Sequence, residues 1–271
     1  MSKSSASLAR LSLNNARAVT VALIVLSGCS GSGGASAIPP DLSMEAGAQP
    51  LTLNSSEFKQ VATWGSKGKI AVAQCPLGYK VVAGGSSSSD GSFVGTGYAN
   101  SKFNSWYVHP DSNASAEAFA SCLPKSIART NFEWRFAGSI SGLAGAQCRS
   151  GYTLVTGFGL GTITNSWFNA TTNTYWVTGG AIAYASCAKV STGIVVRHAW
   201  NKSQKPRSVY AGCGSGYSAF GGSMGDNQWP GPSIQEHPGI AAGPGHHGYD
   251  GWWTFSNAMN ELTWAACVPT T

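Results

Sequence analysis

Two overlapping stretches near the C-terminus carry side chains with chemical potential. Gly221-Gly222-Ser223-Met224-Gly225 has the G-x-S-x-G spacing of a serine held on a strained strand-to-helix elbow. The chain continues Asp226-Asn227-Gln228-Trp229-Pro230-Gly231-Pro232, whose two prolines forbid the helix such an elbow needs. Gly222 is also the third copy of a repeated glycine, which explains the motif without a nucleophile. The segment from about Met224 to Asp250 is the denser one, with Asp226, Trp229, Glu236, His237, His246, His247 and Asp250. Imidazole and carboxylate together suit Zn²⁺ or Cu²⁺. Adjacent histidines on a strand point to opposite faces, however, so His246-His247 is a poor chelating pair. The plainer reading is a solvated Gly/Pro-rich loop, and neither a metal nor a cofactor is assigned. Trp229 lies off every repeat position, so its ring is free to stack on a ligand. Trp229, His237, His246, His247 and Asp250 are therefore the candidate ligand-binding residues. The 11 acidic residues are scattered, and no repeated position holds one, so no catalytic carboxylate pair can be argued.

The elements that must position this segment are written three times. Ala-x-Cys-x-x-Gly-Tyr occurs at Ala73–Tyr79, Ala146–Tyr152 and Ala211–Tyr217. A further glycine, Gly84, Gly157 or Gly222, stands nine residues after each cysteine. Each unit ends in AFASC, AYASC or TWAAC, with Cys122, Cys187 and Cys267. A tryptophan opens the apolar run before that: Trp106, Trp176, and Trp252 or Trp253. Cys122 to Cys148 and Cys187 to Cys213 span the same interval, whereas the intervals within units vary. Constant joints and variable interiors are the signature of repeated units with surface insertions.

Short β-branched and aromatic runs bounded by Gly, Asn, Asp and Ser predict β-strands throughout. No window beyond the N-terminus carries a helical stripe. Each unit is expected to hold three or four antiparallel strands, too few to bury a core alone. The expected fold is all-β: three pseudo-repeated antiparallel units, prism-like or trefoil-like and stapled by disulfides. Units of about 57–129, 130–192 and 193–271 share a core or stand as separate beads. The glycine after Cys-x-x marks a turn that needs positive φ or lacks room for a side chain. Tyr79, Tyr152 and Tyr217 should pack inward with their hydroxyls at the edge. Threefold symmetry leaves two main disulfide patterns. Cys75–Cys122, Cys148–Cys187 and Cys213–Cys267 would each close one small sheet, which is the simpler solution. Cys122–Cys148, Cys187–Cys213 and Cys75–Cys267 would link units instead. The pattern over about residues 57–271 resembles Cys-x-x-Gly-aromatic…Gly-Gly…Trp…Tyr-Ala-x-Cys repeats of secreted bacterial proteins without known activity. Phe158 departs from it, standing where a second glycine is expected, and the third unit carries a long insertion.

The N-terminus sets the compartment. Lys3, Arg10 and Arg17 precede the apolar run Ala18–Leu26, which is too short for a membrane span. Leu26-Ser27-Gly28-Cys29 then resembles the lipobox of bacterial lipoproteins. That resemblance implies a signal peptide over 1–28, cleavage before Cys29 and a diacylglycerol and an acyl chain such as palmitate on Cys29. Ser30 in place of Asp implies sorting to the outer membrane. Ala35-Ser36-Ala37 offers a rival signal-peptidase site, which would release a soluble secreted protein. The seven cysteines favour the lipobox, because using Cys29 as an anchor leaves an even six. Residues 29–56, rich in Gly, Ser, Ala and Pro, read as a tether that averages roughly 30 Å in reach.

Removing the three signal-peptide bases leaves 14 basic and 11 acidic residues among the 17 and 11 of the whole chain, too weak a bias for nucleic acid. The expected protein is a lipid-anchored binding or adhesion module of the outer membrane, facing the periplasm or the surface. Its expected partners are the membrane through Cys29 and a glycan or envelope protein. A structural component of an envelope or secretion machine is the second expectation. A hydrolase with its site in 224–250 is the third.

Overall fold

In the computed structural model, the described residues are 52–89, 94–110, 113–139, 141–161, 163, 165–179, 182–200, 207–226, 233–239, 250–256 and 261–270. They fall within one compact unit, Gly47–Thr271. The fold is all-β and built from three repeats of one six-stranded plan. The first repeat holds β1 (Lys59–Trp64), β2 (Ala71–Gln74), β3 (Tyr79–Ser88), β4 (Val94–Ala99), β5 (Ser105–Pro110) and β6 (Ala116–Pro124). A seven-residue helix, α1 (Lys125–Asn131), leads to the second repeat. That repeat holds β7 (Phe132–Gly138), β8 (Leu143–Gln147), β9 (Tyr152–Leu160), β10 (Asn165–Asn169), β11 (Thr174–Thr178) and β12 (Ile182–Lys189). The third holds β13 (Val195–Trp200), β14 (Arg207–Gly212), β15 (Tyr217–Asp226), β16 (Ser233–Gly239), β17 (Gly251–Ser256) and β18 (Glu261–Pro269).

Each repeat forms two antiparallel three-stranded ladders. One pairs its first, sixth and third strands, as in β1-β6-β3, and the other its second, fifth and fourth, as in β2-β5-β4. Six strands per unit exceed the expected three or four. The extra ones, such as VGTGYA of β4 and LAGAQ of β8, are Gly/Ala-rich with little strand propensity. Pairing with aromatic neighbours on the fifth strand holds them in place.

The disulfides follow the intra-unit pattern: Cys75–Cys122, Cys148–Cys187 and Cys213–Cys267. Each ties the end of the second strand to the sixth, and so one ladder of the unit to the other. The separations of 47, 39 and 54 residues correspond to about 4 kcal/mol each on the chain-entropy model.

The repeats close on one another in a ring. The fourth strand of each unit lies beside the third strand of the next: β4 beside β9, β10 beside β15 and β16 beside β3. At the last joint, Glu236 pairs with Ser86, and the ladders merge into a six-stranded sheet. Three such faces around one axis make a prism-like fold. In every unit the third strand also carries a one-residue bulge, at Val82, Val155 and Phe220. A bulge re-aims a side chain. These three turn away from their own sandwiches and join Leu123, Ala188 and Val268 in a central buried cluster. Each unit therefore keeps its own core and contributes to a shared one. The packed chain reaches back to Leu53, which is fully buried in the shared cluster and bonded through its N–H to Thr192 O at 3.0 Å.

The repeated residues now have separate reasons. Gly78, Gly151 and Gly216 have φ of +86°, +80° and +78° in open space, so backbone conformation alone selects glycine. Gly84, Gly157 and Gly222 are chosen by contact. A Cβ there would lie 2.1 Å from Trp106, 2.1 Å from Tyr175 and 2.3 Å from Trp252. The inward aromatic of the second unit is thus Tyr175 and not Trp176. Trp106, Tyr175 and Trp252 stand across from the repeated alanines Ala73, Ala146 and Ala211, which leave room for the rings. Phe158, in place of a second glycine, fills the joint between units one and two. Its ring stacks on Tyr184 at 4.5 Å and meets Trp106 edge-on at 5.1 Å.

Candidate functional site

Alternation along the fifth strand sends one aromatic inward and the next outward. Following Trp106, Tyr175 and Trp252, the outward residues are Tyr107, Trp176 and Trp253, all half-buried. Across from them on the fourth strand stand Tyr98, Trp167 and His237. A cross-strand aromatic pair therefore recurs on the outer face of the second ladder in the first two units, and Trp253 holds the same fifth-strand position in the third.

In the first unit the Tyr98 and Tyr107 rings stack at 5.5 Å and 13°. His109 extends the stack at 5.6 Å from Tyr98, and its Nε2 is 3.1 Å from the Tyr98 hydroxyl. In the second unit Trp167 and Trp176 lie 6.1 Å apart and 16° from parallel. Gly145, on the neighbouring strand, makes this possible, since a Cβ there would meet the Trp176 ring at 2.5 Å. In the third unit Tyr210 packs on Trp253 at 4.7 Å, and its hydroxyl donates to Asp250 Oδ1. Exposed carboxamides flank the first two pairs, Gln74 and Gln147, each at the end of the neighbouring strand. Flat aromatic faces beside amide, hydroxyl and imidazole groups can stack on apolar C–H surfaces while hydrogen-bonding polar rims.

The residues singled out from sequence are distributed differently. Cys29, Trp229, His246 and His247 lie outside the described residues. His237 sits on β16 in register with Trp253, the third-unit counterpart of Tyr98 and Trp167. Asp250 occupies a repeat position. Its carbonyl accepts from Cys213 N at 2.7 Å, as Asn104 O does from Cys75 N and Asn173 O from Cys148 N. Ser223 lies within β15 opposite Trp264, at 2% exposure, with no hydrogen-bond partner for its hydroxyl. A strand interior gives it neither elbow nor access. Among the described residues no group of three or more His, Cys, Asp and Glu is placed to hold a metal ion.

Sequence reasoning missed Tyr98, Tyr107 and Trp167. The available signal was spacing: Tyr98 to Tyr107 and Trp167 to Trp176 are each nine residues apart. No known protein family matches the chain, and no curated protein matches it.

Proposed function

We propose that this protein is a lipid-anchored glycan-binding module of the bacterial outer membrane. The observation that carries the reading is the outward aromatic position repeated on the fifth strand of all three units, Tyr107, Trp176 and Trp253, each with a second aromatic ring packed on it. Trp106, Tyr175 and Trp252 supply the inward aromatics of the fifth strands, so Tyr107, Trp176 and Trp253 are not needed to fill the sandwiches, while Tyr98 also packs against the first core. Sugar rings offer apolar C–H faces that stack on Trp and Tyr, with hydroxyls for Gln74, His109 and Gln147 to bind. Three modest sites on one rigid scaffold gain avidity on a repeating polysaccharide without any new contact. The lipid on Cys29 and the tether, which ends before the packed Leu53 rather than at residue 56, would hold the scaffold within roughly 30 Å of the membrane.

A glycan array probed with the folded chain tests the ligand class. Specific binding is expected, and titration with the best hit should perturb tryptophan emission, because Trp167, Trp176 and Trp253 would contact it. An array without hits would discard the glycan reading. Mass spectrometry of the N-terminus from membranes tests the anchor. A triacylated Cys29 is expected, and an unmodified N-terminal Ile38 would contradict it.

A further inference from the structure

We infer that one end of the first unit, built by Leu77, Lys80, Lys102, Lys125 and Arg129, docks on anionic phospholipid headgroups. Three elements bring these residues together. Lys80 is the second residue of β3, and its ammonium donates to Lys102 O on the turn before β5. Lys125 opens α1 directly after β6, and its N–H bonds Gly78 O at 2.8 Å. Arg129 lies one turn further along the same helix. Burial, and then the charges of Lys125, Arg129 and Lys102, hold the Lys80 ammonium below its usual pKa. The three neighbouring cations thus crowd the Lys80 ammonium. None has an ion-pair partner among the described residues, where the pair is Arg149–Glu133.

The scaffold does not require this cluster. Thr153 and Ser218 replace Lys80 in the other repeats, and Val190 and Thr270 replace Lys125 at the same backbone hydrogen bond. Leu77 is fully exposed in its turn, and its counterparts are Ser150 and Ser215. Cations around a bare leucine are the chemistry of an interfacial contact: charge attracts the headgroups and the apolar side chain enters their boundary.

Position selects the lipid occupant. Leu53, where the tether joins the packed chain, bonds Thr192 O in the turn after β12, and that turn stands where α1 stands after β6. The chain thus enters the compact unit at the end where the sixth strands finish, which is the end that carries Lys125 and Arg129 in the first repeat. This inference rests on the lipid-anchor reading for its orientation, not for its chemistry.

The test uses the chain from Ser30 to Thr271, without lipid and with the whole compact unit. Cosedimentation is measured with phosphatidylcholine vesicles, with and without about one-third phosphatidylglycerol. Binding is expected only to the anionic vesicles and should weaken with salt. Lys102→Gln with Arg129→Gln should lower partitioning on the order of 25-fold, at about fivefold per cation. Leu77→Ser should lower it further. Lys67→Gln with Lys69→Gln removes equal charge from the turn after β1, at the other end of that unit, and should change it little. These side chains are exposed, and unchanged far-UV circular dichroism confirms folding of each variant. Equal loss in the two double variants, equal binding to neutral vesicles, or no vesicle binding would overturn the inference. So would binding to polygalacturonate alone, which assigns the patch to an acidic polysaccharide. Loss of vesicle binding with an acylated Cys29, or the converse, separates failure here from failure of the anchor.

Discussion

Gly84→Ala tests the packing logic that the repeats share. The added Cβ would lie 2.1 Å from Trp106 Cδ2 and 2.4 Å from Cε3. Carbon atoms prefer about 3.5–4.0 Å, so ring and strand must separate by roughly 1.5 Å. Trp106 is 2% exposed and braced by Phe158, which leaves it no solvent side to move into. Overpacking of a tight core costs typically 1–3 kcal/mol, and this site should reach about 3. Gly78→Ala is the contrast. Its Cβ meets nothing within 4 Å, but φ is +86°, so only backbone strain of about 1–2 kcal/mol applies. Urea denaturation with the disulfides intact reads both from the shift in midpoint. Trp106→Ala alone should cost about 3–5 kcal/mol through its cavity. In the double variant the clash disappears, so Gly84→Ala with Trp106→Ala should cost no more than Trp106→Ala alone. Strict additivity, or a Gly84→Ala effect under about 0.5 kcal/mol, would refute the claim that the ring selects the glycine.

Removing one staple by Cys148→Ser with Cys187→Ser should lower stability by about 4 kcal/mol, read by the same denaturation, while peptide mapping retains the other two bridges. Phe220→Ala, at the third bulge, should cost about 3–5 kcal/mol and loosen all three units together, visible as lost amide-exchange protection near Val82 and Val155. Burial holds the Glu117 carboxyl above its usual range, so the fold binds that proton more tightly than the unfolded chain. Its contribution is then complete below the ordinary carboxylate pKa and is lost as pH rises through the raised value. Glu117→Gln should flatten that part of the thermal-stability profile, and an unaltered profile would show that Glu117 does not cause it. Binding an anion beside Lys80 should raise its depressed pKa, measured by NMR titration of the ammonium with and without phosphatidylglycerol micelles.

Much of the fold was legible because its determinants are chemical identities at fixed spacing. Cysteines must meet their partners, a positive-φ turn needs glycine, and both leave marks in a single sequence. The inward position of Tyr175 was not legible. Tyr175-Trp176 offers two large aromatics in succession, and only pairing across to Ala146 or Gly145 decides which faces the core. The bulges were hidden for a related reason. Val82 and Val155 sit in apolar runs where one extra residue breaks no pattern, yet that residue converts separate sandwiches into one ring. The outward pairs escaped because cross-strand partners are set by hairpin length, and the third hairpin is lengthened between His237 and Trp253. That insertion drew attention to its own histidines, while the site positions lie on the strands it joins.

The most direct test of the central claim is a glycan array comparing the wild-type chain with the Tyr107→Ala, Trp176→Ala, Trp253→Ala variant. All three side chains face outward from strands whose inward neighbours keep the cores, so the variant should remain folded. The wild type is expected to bind a defined set of glycans, and the variant to lose them. Undiminished binding by a folded variant would contradict it.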